Sequence, residues 1–275
     1  KTKSAIILIL LLSLFGSITQ ATPVFSVPDA VKWSRVNIPT EGHSGGWMLA
    51  SGSDVKHLTM ATDGTLYGYA DPSGTSYTLF KSIDGGYSWS YTGEVKDEIV
   101  DIDTAPDGSV YYASSSGVCK STDGGESFIK LPSSPGGAGS NNIEITSIDV
   151  ARLGSDNIIA VGTSDTDSSE YGGVYILEES EELFPSWADT NIGSYDVYSV
   201  AFSPNFTDDA MMMAVVADQV HTYVAYNYGT IGDWTRIELL DAGEASFAIT
   251  AASNIGLPSD FSEPYTLFVG IVGGD

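Results

Sequence analysis

Three aspartates have the type and spacing for acid–base chemistry. Asp101 and Asp103 lie two residues apart in one short strand-like run, and Asp149 lies in the next such run. Asp103 and Asp149 fall at equivalent positions of successive repeating segments. Two carboxyls facing each other across a gap of roughly 5–9.5 Å can cleave a glycosidic bond as acid and base or acid and nucleophile. The same side chains also read as the solvated polar lining of a channel, and the sequence carries no distance that separates the two. A second acidic constellation, Asp165-Thr166-Asp167-Ser168-Ser169-Glu170, begins like a calcium loop, and calcium is the cofactor that surplus carboxylates suit best. Glu170 stands where such a loop needs Gly and Ile176 where it needs a bidentate Glu, so this is not an EF-hand. An irregular surface calcium site at Asp165 and Asp167 is the metal expectation, set against a plain solvated acidic loop.

Nucleophilic chemistry has little to work with. Cys119 is the single cysteine, so the chain holds no internal disulfide, and its neighbours Val118 and Lys120 place it in a strand as packing. His43, His57 and His221 form no local pair with it. The Gly-rich stretch 135–140 lacks the Lys-Ser/Thr and helix of a phosphate cradle and reads as a linker.

Charge narrows the partners. The 275 residues carry 36 acidic and 11 basic side chains, a formal net charge of −25, which repels nucleic acid and anionic membranes. A hydrophobic fraction of 42% is ample for a folded core. At the N-terminus, Lys1 and Lys3 precede an apolar run over 5–15, and small residues Thr19 and Ala21 follow. This has the form of a signal peptide over residues 1–21, and the run is shorter than the roughly 20 residues of a membrane span. The expectation is an exported protein, secreted or at the cell surface, whose remaining residues 22–275 form one domain.

The elements that must position these side chains come from a repeat. Lys81-Ser82-Ile83-Asp84-Gly85-Gly86-Tyr87-Ser88-Trp89 and Lys120-Ser121-Thr122-Asp123-Gly124-Gly125-Glu126-Ser127-Phe128 match position by position. Each is a hairpin turn: the Asp side chain caps backbone amides, the glycines supply positive φ, and the aromatic returns to the core. Ahead of each turn run three short period-two segments, 55–61, 65–70 and 77–82 in the first unit and 99–105, 109–113 and 117–121 in the second. Two degenerate units follow, with strands over 143–151, 157–162, 173–177 and 187–190, then 197–203, 210–217, 220–226 and 234–238. Trp187 and Trp234 stand where the motif aromatic belongs. A fifth unit begins at 247–253 and 265–272. Thr59, Asp103, Asp149, Ala201 and Ala251 are then equivalent, with steps of 44, 46, 52 and 50 residues. Steps of that size are those of a propeller blade. The fold class expected is therefore all-β, a β-propeller of four-stranded antiparallel blades, with about four complete and part of another in the chain. Trp33-Ser34-Arg35-Val36 reads like Trp234-Thr235-Arg236-Ile237, an outer strand that closes a ring. With the third strand of the fifth unit absent, the expectation is a C-terminally truncated ring of about six to eight blades.

Ser82-x-Asp84-x-Gly86-x-Ser88-Trp89 fits the pattern of the Asp-box, or BNR, repeat completely. Ser121, Asp123 and Gly125 fit it too, with Phe128 in place of Trp. Ser203-Pro204-Asn205-Phe206 resembles a turn common in those repeats. The resemblance covers most of 33–272. It implies a β-propeller in which the boxes are structural turns between third and fourth strands, away from a catalytic face. The relatives implied include sialidases and xyloglucanase-type hydrolases. A sialidase needs an arginine triad, whereas this chain has only Arg35, Arg152 and Arg236, two of them on outer strands. The chain is also similar to exported prokaryotic surface-layer-type proteins. The functional expectation is a non-enzymatic cell-surface propeller that binds cell-surface proteins or polysaccharide, or serves as a structural layer. The alternative is a secreted glycoside hydrolase using the carboxylates above.

Overall fold

The computed structural model describes residues 54–71, 77–93, 95–167, 170–180, 185–241, 243–261 and 265–271. The signal segment over 1–21 and the strand expected at Trp33 lie outside the described residues. What is described is a β-propeller. Its first blade is β1 (Asp54–Met60), β2 (Leu66–Asp71), β3 (Thr78–Ser82) and β4 (Ser90–Gly93), and its second is β5 (Asp101–Thr104), β6 (Val110–Ser114), β7 (Gly117–Ser121) and β8 (Ile129–Lys130). The third blade is β9 (Ile143–Leu153), β10 (Asp156–Asp165), β11 (Gly173–Glu178) and β12 (Ala188–Asp189). The fourth is β13 (Asp196–Phe202), β14 (Met211–Ala217), β15 (Thr222–Tyr228) and β16 (Thr235–Leu239). Each is an antiparallel sheet in sequence order. A further pair, β17 (Ser253–Gly256) and β18 (Phe268–Ile271), follows the fourth blade.

Two differences from the sequence reading have physical causes. The fifth unit's first strand was expected over 247–253, but pairing starts at Ser253. The Thr222 side chain intercepts the preceding backbone, donating to Phe247 O at 2.8 Å and accepting from Ile249 N at 3.1 Å. The Ser203-Pro204-Asn205-Phe206 turn runs on into one helical turn, α1 (Phe206–Asp209), held by Ser203 Oγ to Asp209 at 2.6 Å.

The apolar core lies between blades, as stacked two-faced sheets require. Ile158, Ala160, Val174 and Ile176 of the third blade meet Val197, Val200, Met212, Ala214 and Val216 of the fourth. Tyr111, Ala113 and Val118 meet Ile145, Ile148, Ile159 and Val161 across the previous seam. β14 shows how both faces are used. Met212 packs toward the third blade, while Met211 and Met213 pack toward Phe261 beyond the fourth. A strand buried on both sides reads as a continuous apolar run. Cys119 is buried in the seam between the first two blades, where burial pushes its thiol up, so it is packing.

The inner strands β1, β5, β9 and β13 are neighbours in succession. They carry the aspartates of interest.

Candidate functional site: the inner-strand carboxyls

Every candidate carboxyl on the inner strands reaches into the next blade. Asp101 Oδ2 accepts the amide of Ile148 at 3.0 Å and Asp103 Oδ2 that of Val150 at 2.8 Å. Asp149 Oδ2 accepts the amide of Phe202. The geometry repeats because the sequence does: each carboxyl takes the amide one residue past the equivalent position of the following unit. Thr59, equivalent to Asp103 one blade earlier, donates to Asp103 Oδ1 at 3.5 Å. Thr104 Oγ1 reaches back to Met60 O at 3.2 Å, and Thr146 Oγ1 reaches Val197 O at 2.6 Å. The inner strands are stapled by side chains where no sheet ladder joins them.

Asp103 and Asp149 lie close enough on neighbouring inner strands for each to perturb the other. Burial raises the proton affinity of both. Asp149 lies well above the ordinary carboxylate range, first from burial and then from the charge of Asp103. Burial likewise pushes Asp101 up to about 7, with the charge of Asp103 adding to it.

Asp149 also lines a pocket of about 320 Å³ at the ends of β9 and β13, with Arg152, Pro106, Ser203 and Phe206 on its walls. Arg152 Nη1 lies 3.8 Å from Asp107. Further out on the same seam, Glu179 accepts from Tyr111 at 2.8 Å and pairs with Lys120.

The two K-S-x-D-G-G turns lie between third and fourth strands. Ser82 Oγ donates to Asp84 at 2.8 Å and accepts from Gly86 N at 2.9 Å, while Asp84 accepts from Ser88 N at 2.9 Å and Ser88 Oγ at 2.6 Å. Ser121, Asp123, Gly125 and Ser127 repeat this, at 2.7 Å for Ser121 to Asp123 and 2.8 Å for Gly125 N to Ser121. Gly85 and Gly86 sit at φ 73° and 88°, Gly124 and Gly125 at 72° and 85°, where a side chain is strained. The hydrogen bonds from Ser88 and Ser82 hold Asp84 down at about 2, and those from Ser127 and Ser121 hold Asp123 lower still. Trp89 Nε1 donates to Gly86 O at 3.1 Å, and Phe128 packs edge-on against Tyr112 with centroids 4.8 Å apart.

Asp165 and Asp167 share a turn, with Asp167 N donating to Asp165 Oδ1 at 2.6 Å and Asp165 N to Asp196 at 2.8 Å. Among the described residues no three His, Cys, Asp or Glu side chains converge as a metal group would need.

The sequence reading missed one register. Ser180, Glu182, Ser186 and Trp187 repeat the spacing of Ser82, Asp84, Ser88 and Trp89, and Asn227 and Trp234 keep the Ser-to-Trp interval. That seven-residue interval was the available signal. Residues 181–184 lie outside the described residues.

No protein-family model and no curated protein sequence matches this chain. Two solved structures of one extracellular domain from B. thetaiotaomicron, described as a hybrid two-component and as a one-component system, resemble it with a TM-score of 0.50. They are 15% and 14% identical and cover 79% and 83% of this chain. The chain spans about a quarter of those neighbours, 26% and 27% of their length. An α-L-arabinanase from Penicillium chrysogenum, complexed with arabinobiose, is 13% identical with a TM-score of 0.46, over 70% of this chain and 68% of that one. At such identities the likeness is one of fold alone. Among the described residues no helix is long and apolar enough to cross a membrane.

Proposed function

We propose that this chain belongs to an exported, non-catalytic Asp-box propeller that acts at the cell surface as a binding or structural, surface-layer-like component. The observation that carries the reading is the use made of the inner-strand carboxyls. The residues best placed for acid–base catalysis, Asp101, Asp103 and Asp149, each accept a backbone amide of the next blade. The leader-like N-terminus and the net charge of −25 support export and solubility outside the cell. An extracellular domain of like fold fits that placement.

A second reading, a secreted glycoside hydrolase, is favoured by one feature: Asp149, whose proton affinity burial raises, lies at the wall of a pocket that also holds Arg152. Reducing-sugar release from neutral polysaccharides decides between them. The binding reading expects none from the wild-type chain. Release that disappears in Asp149→Asn, with the folded state intact by circular dichroism, would overturn it. Cell fractionation tests display, since recovery only as free soluble protein removes the surface-layer role.

A further inference from the structure

On the fourth blade, a cavity of about 540 Å³ opens between two segments that have been fastened together. One is the connector over 191–195, between β12 and β13. The other is Asp233, Trp234 and Arg236, at the start of the outer strand β16. Trp234 Nε1 donates to Thr190 O at 3.2 Å and Arg236 Nη1 to Ile192 O at 3.3 Å. Asn191 N is held by Asp189 at 2.7 Å, and Asn191 and Gly193 adopt φ of 60° and 98°, which bends the connector around the opening. The Arg236 guanidinium carbon lies 5.0 Å from the centre of the Tyr195 ring, whose other support is the edge-on ring of Tyr223 at 5.7 Å. The walls are fixed by these contacts before any ligand arrives, so little ordering remains to oppose binding.

Acids outnumber bases by 36 to 11, yet no carboxylate stands within ion-pair distance of Arg236 among the described residues. Its partners are a carbonyl and a ring, which orient the guanidinium without neutralising it. Asp233 lines the same cavity. This pairing selects by charge. An anion meets Asp233 and the −25 of the whole molecule, and a cation meets the guanidinium. A neutral hydroxyl accepts from one and donates to the other. The volume lies within the roughly 300–1,000 Å³ usual for small-ligand sites. Tyr195 supplies an apolar wall with a polar tip, as a sugar ring requires.

We propose that this cavity is a binding site for a neutral saccharide, with Arg236 and Asp233 clasping a pair of adjacent hydroxyls beside the Tyr195 ring. The inference deepens the binding reading above and rests on it. The test is affinity electrophoresis of the full chain in gels holding hydroxyethyl cellulose, dextran or linear arabinan, with polygalacturonate as the anionic control. The wild type is expected to be retarded by at least one neutral polymer and not by polygalacturonate. Arg236→Gln and Asp233→Asn are each expected to weaken that retardation about tenfold or more, the effect of losing a charge-assisted hydrogen bond. Tyr195→Ala should weaken it too. Melting temperatures close to wild type for Arg236→Gln and Asp233→Asn separate lost binding from lost folding. No retardation by any neutral polymer, or equal retardation of wild type and Arg236→Gln, overturns the site. Sugar release from the polymer would instead overturn the non-catalytic reading and leave the site standing.

Discussion

The turn between third and fourth strands closes on its own side chains in the first blade and lacks that closure in the fourth. In the first blade Ser82, Asp84 and Ser88 satisfy one another, and Trp89 donates to its own turn at Gly86. In the fourth blade Asn227 stands where Ser82 does and Gly229 where Asp84 does, and both amide atoms of Asn227 are buried without a partner among the described residues. Trp234 keeps its place but donates to Thr190, at the end of the preceding blade's outer strand. Trp187 of the third blade does the same, reaching Pro132 O at 2.7 Å. In the fourth blade, where the turn chemistry lapses, the aromatic joins two blades rather than closing a turn. Local closure and blade-to-blade closure are thus exchangeable, and the second costs one satisfied polar group in the fourth blade.

The largest test of that exchange is the tryptophan itself. Trp234 is 7% exposed within the core shared by the third and fourth blades. Trp234→Ala is expected to cost about 3–5 kcal/mol in chemical denaturation, the usual range for a buried aromatic. Trp89, half-buried and bonded within its own turn, should cost clearly less when truncated. Equal losses at the two sites would break the distinction.

Next come the serines that organise the intact turns. Ser82 and Ser121 are each 1% exposed and accept the buried amides of Gly86 and Gly125. Ser82→Ala and Ser121→Ala should each cost about 1–3 kcal/mol, since the amide loses its acceptor out of reach of water. A change below a few tenths of that in both would mean the glycines alone hold the turn.

Proton affinity separates the same aspartate chemistry in the turns and in the inner seam. Asp84, held down at about 2, contributes stability that is full above the unfolded carboxylate value of about 4 and is lost as pH falls through 2. Asp101, pushed up to about 7, contributes the opposite limb. Its stabilisation is full below about pH 4, falls as the unfolded state releases its proton first, and is gone by pH 7. Melting temperature should therefore decline between pH 4 and 7.5, and Asp101→Asn should flatten that decline. A profile in Asp101→Asn that still falls as in wild type would move the effect to Asp103 and Asp149.

The fold was more legible in the sequence than the site. Blade boundaries could be placed because strand period, D-G turns and the spacing from Thr59 through Ala201 are all local or repetitive signals. The seam carboxyls were found, and their equivalence in successive units was visible. What they do there was not, because a contact between Asp103 and Val150 depends on how two blades stack rather than on either strand. The cavity beside Arg236 was invisible for the same reason, since Asn191 and Arg236 are 45 residues apart and meet only through the blade seam. Asn227 was missed because neither Asn nor the following Gly229 resembles the Ser and Asp they replace.

Asn227 also supplies the smallest and most discriminating test. It is 1% exposed, and among the described residues neither its Oδ1 nor its Nδ2 has a hydrogen-bond partner. A buried amide without partners opposes folding, whereas an apolar side chain of similar size does not. Asn227→Leu is therefore expected to raise stability by about 1 kcal/mol, the lower end of the cost of an unsatisfied buried polar group. Asn227→Ser should not reproduce the intact turn, because Gly229 offers no carboxylate for the hydroxyl. The double change Asn227→Ser with Gly229→Asp should do no better, since Gly229 sits at φ 107° and Ile231 stands where the turn needs its glycine. If either serine variant proves more stable than Asn227→Leu, the fourth blade's turn still depends on local hydrogen bonding, and the exchange with the tryptophan staple fails.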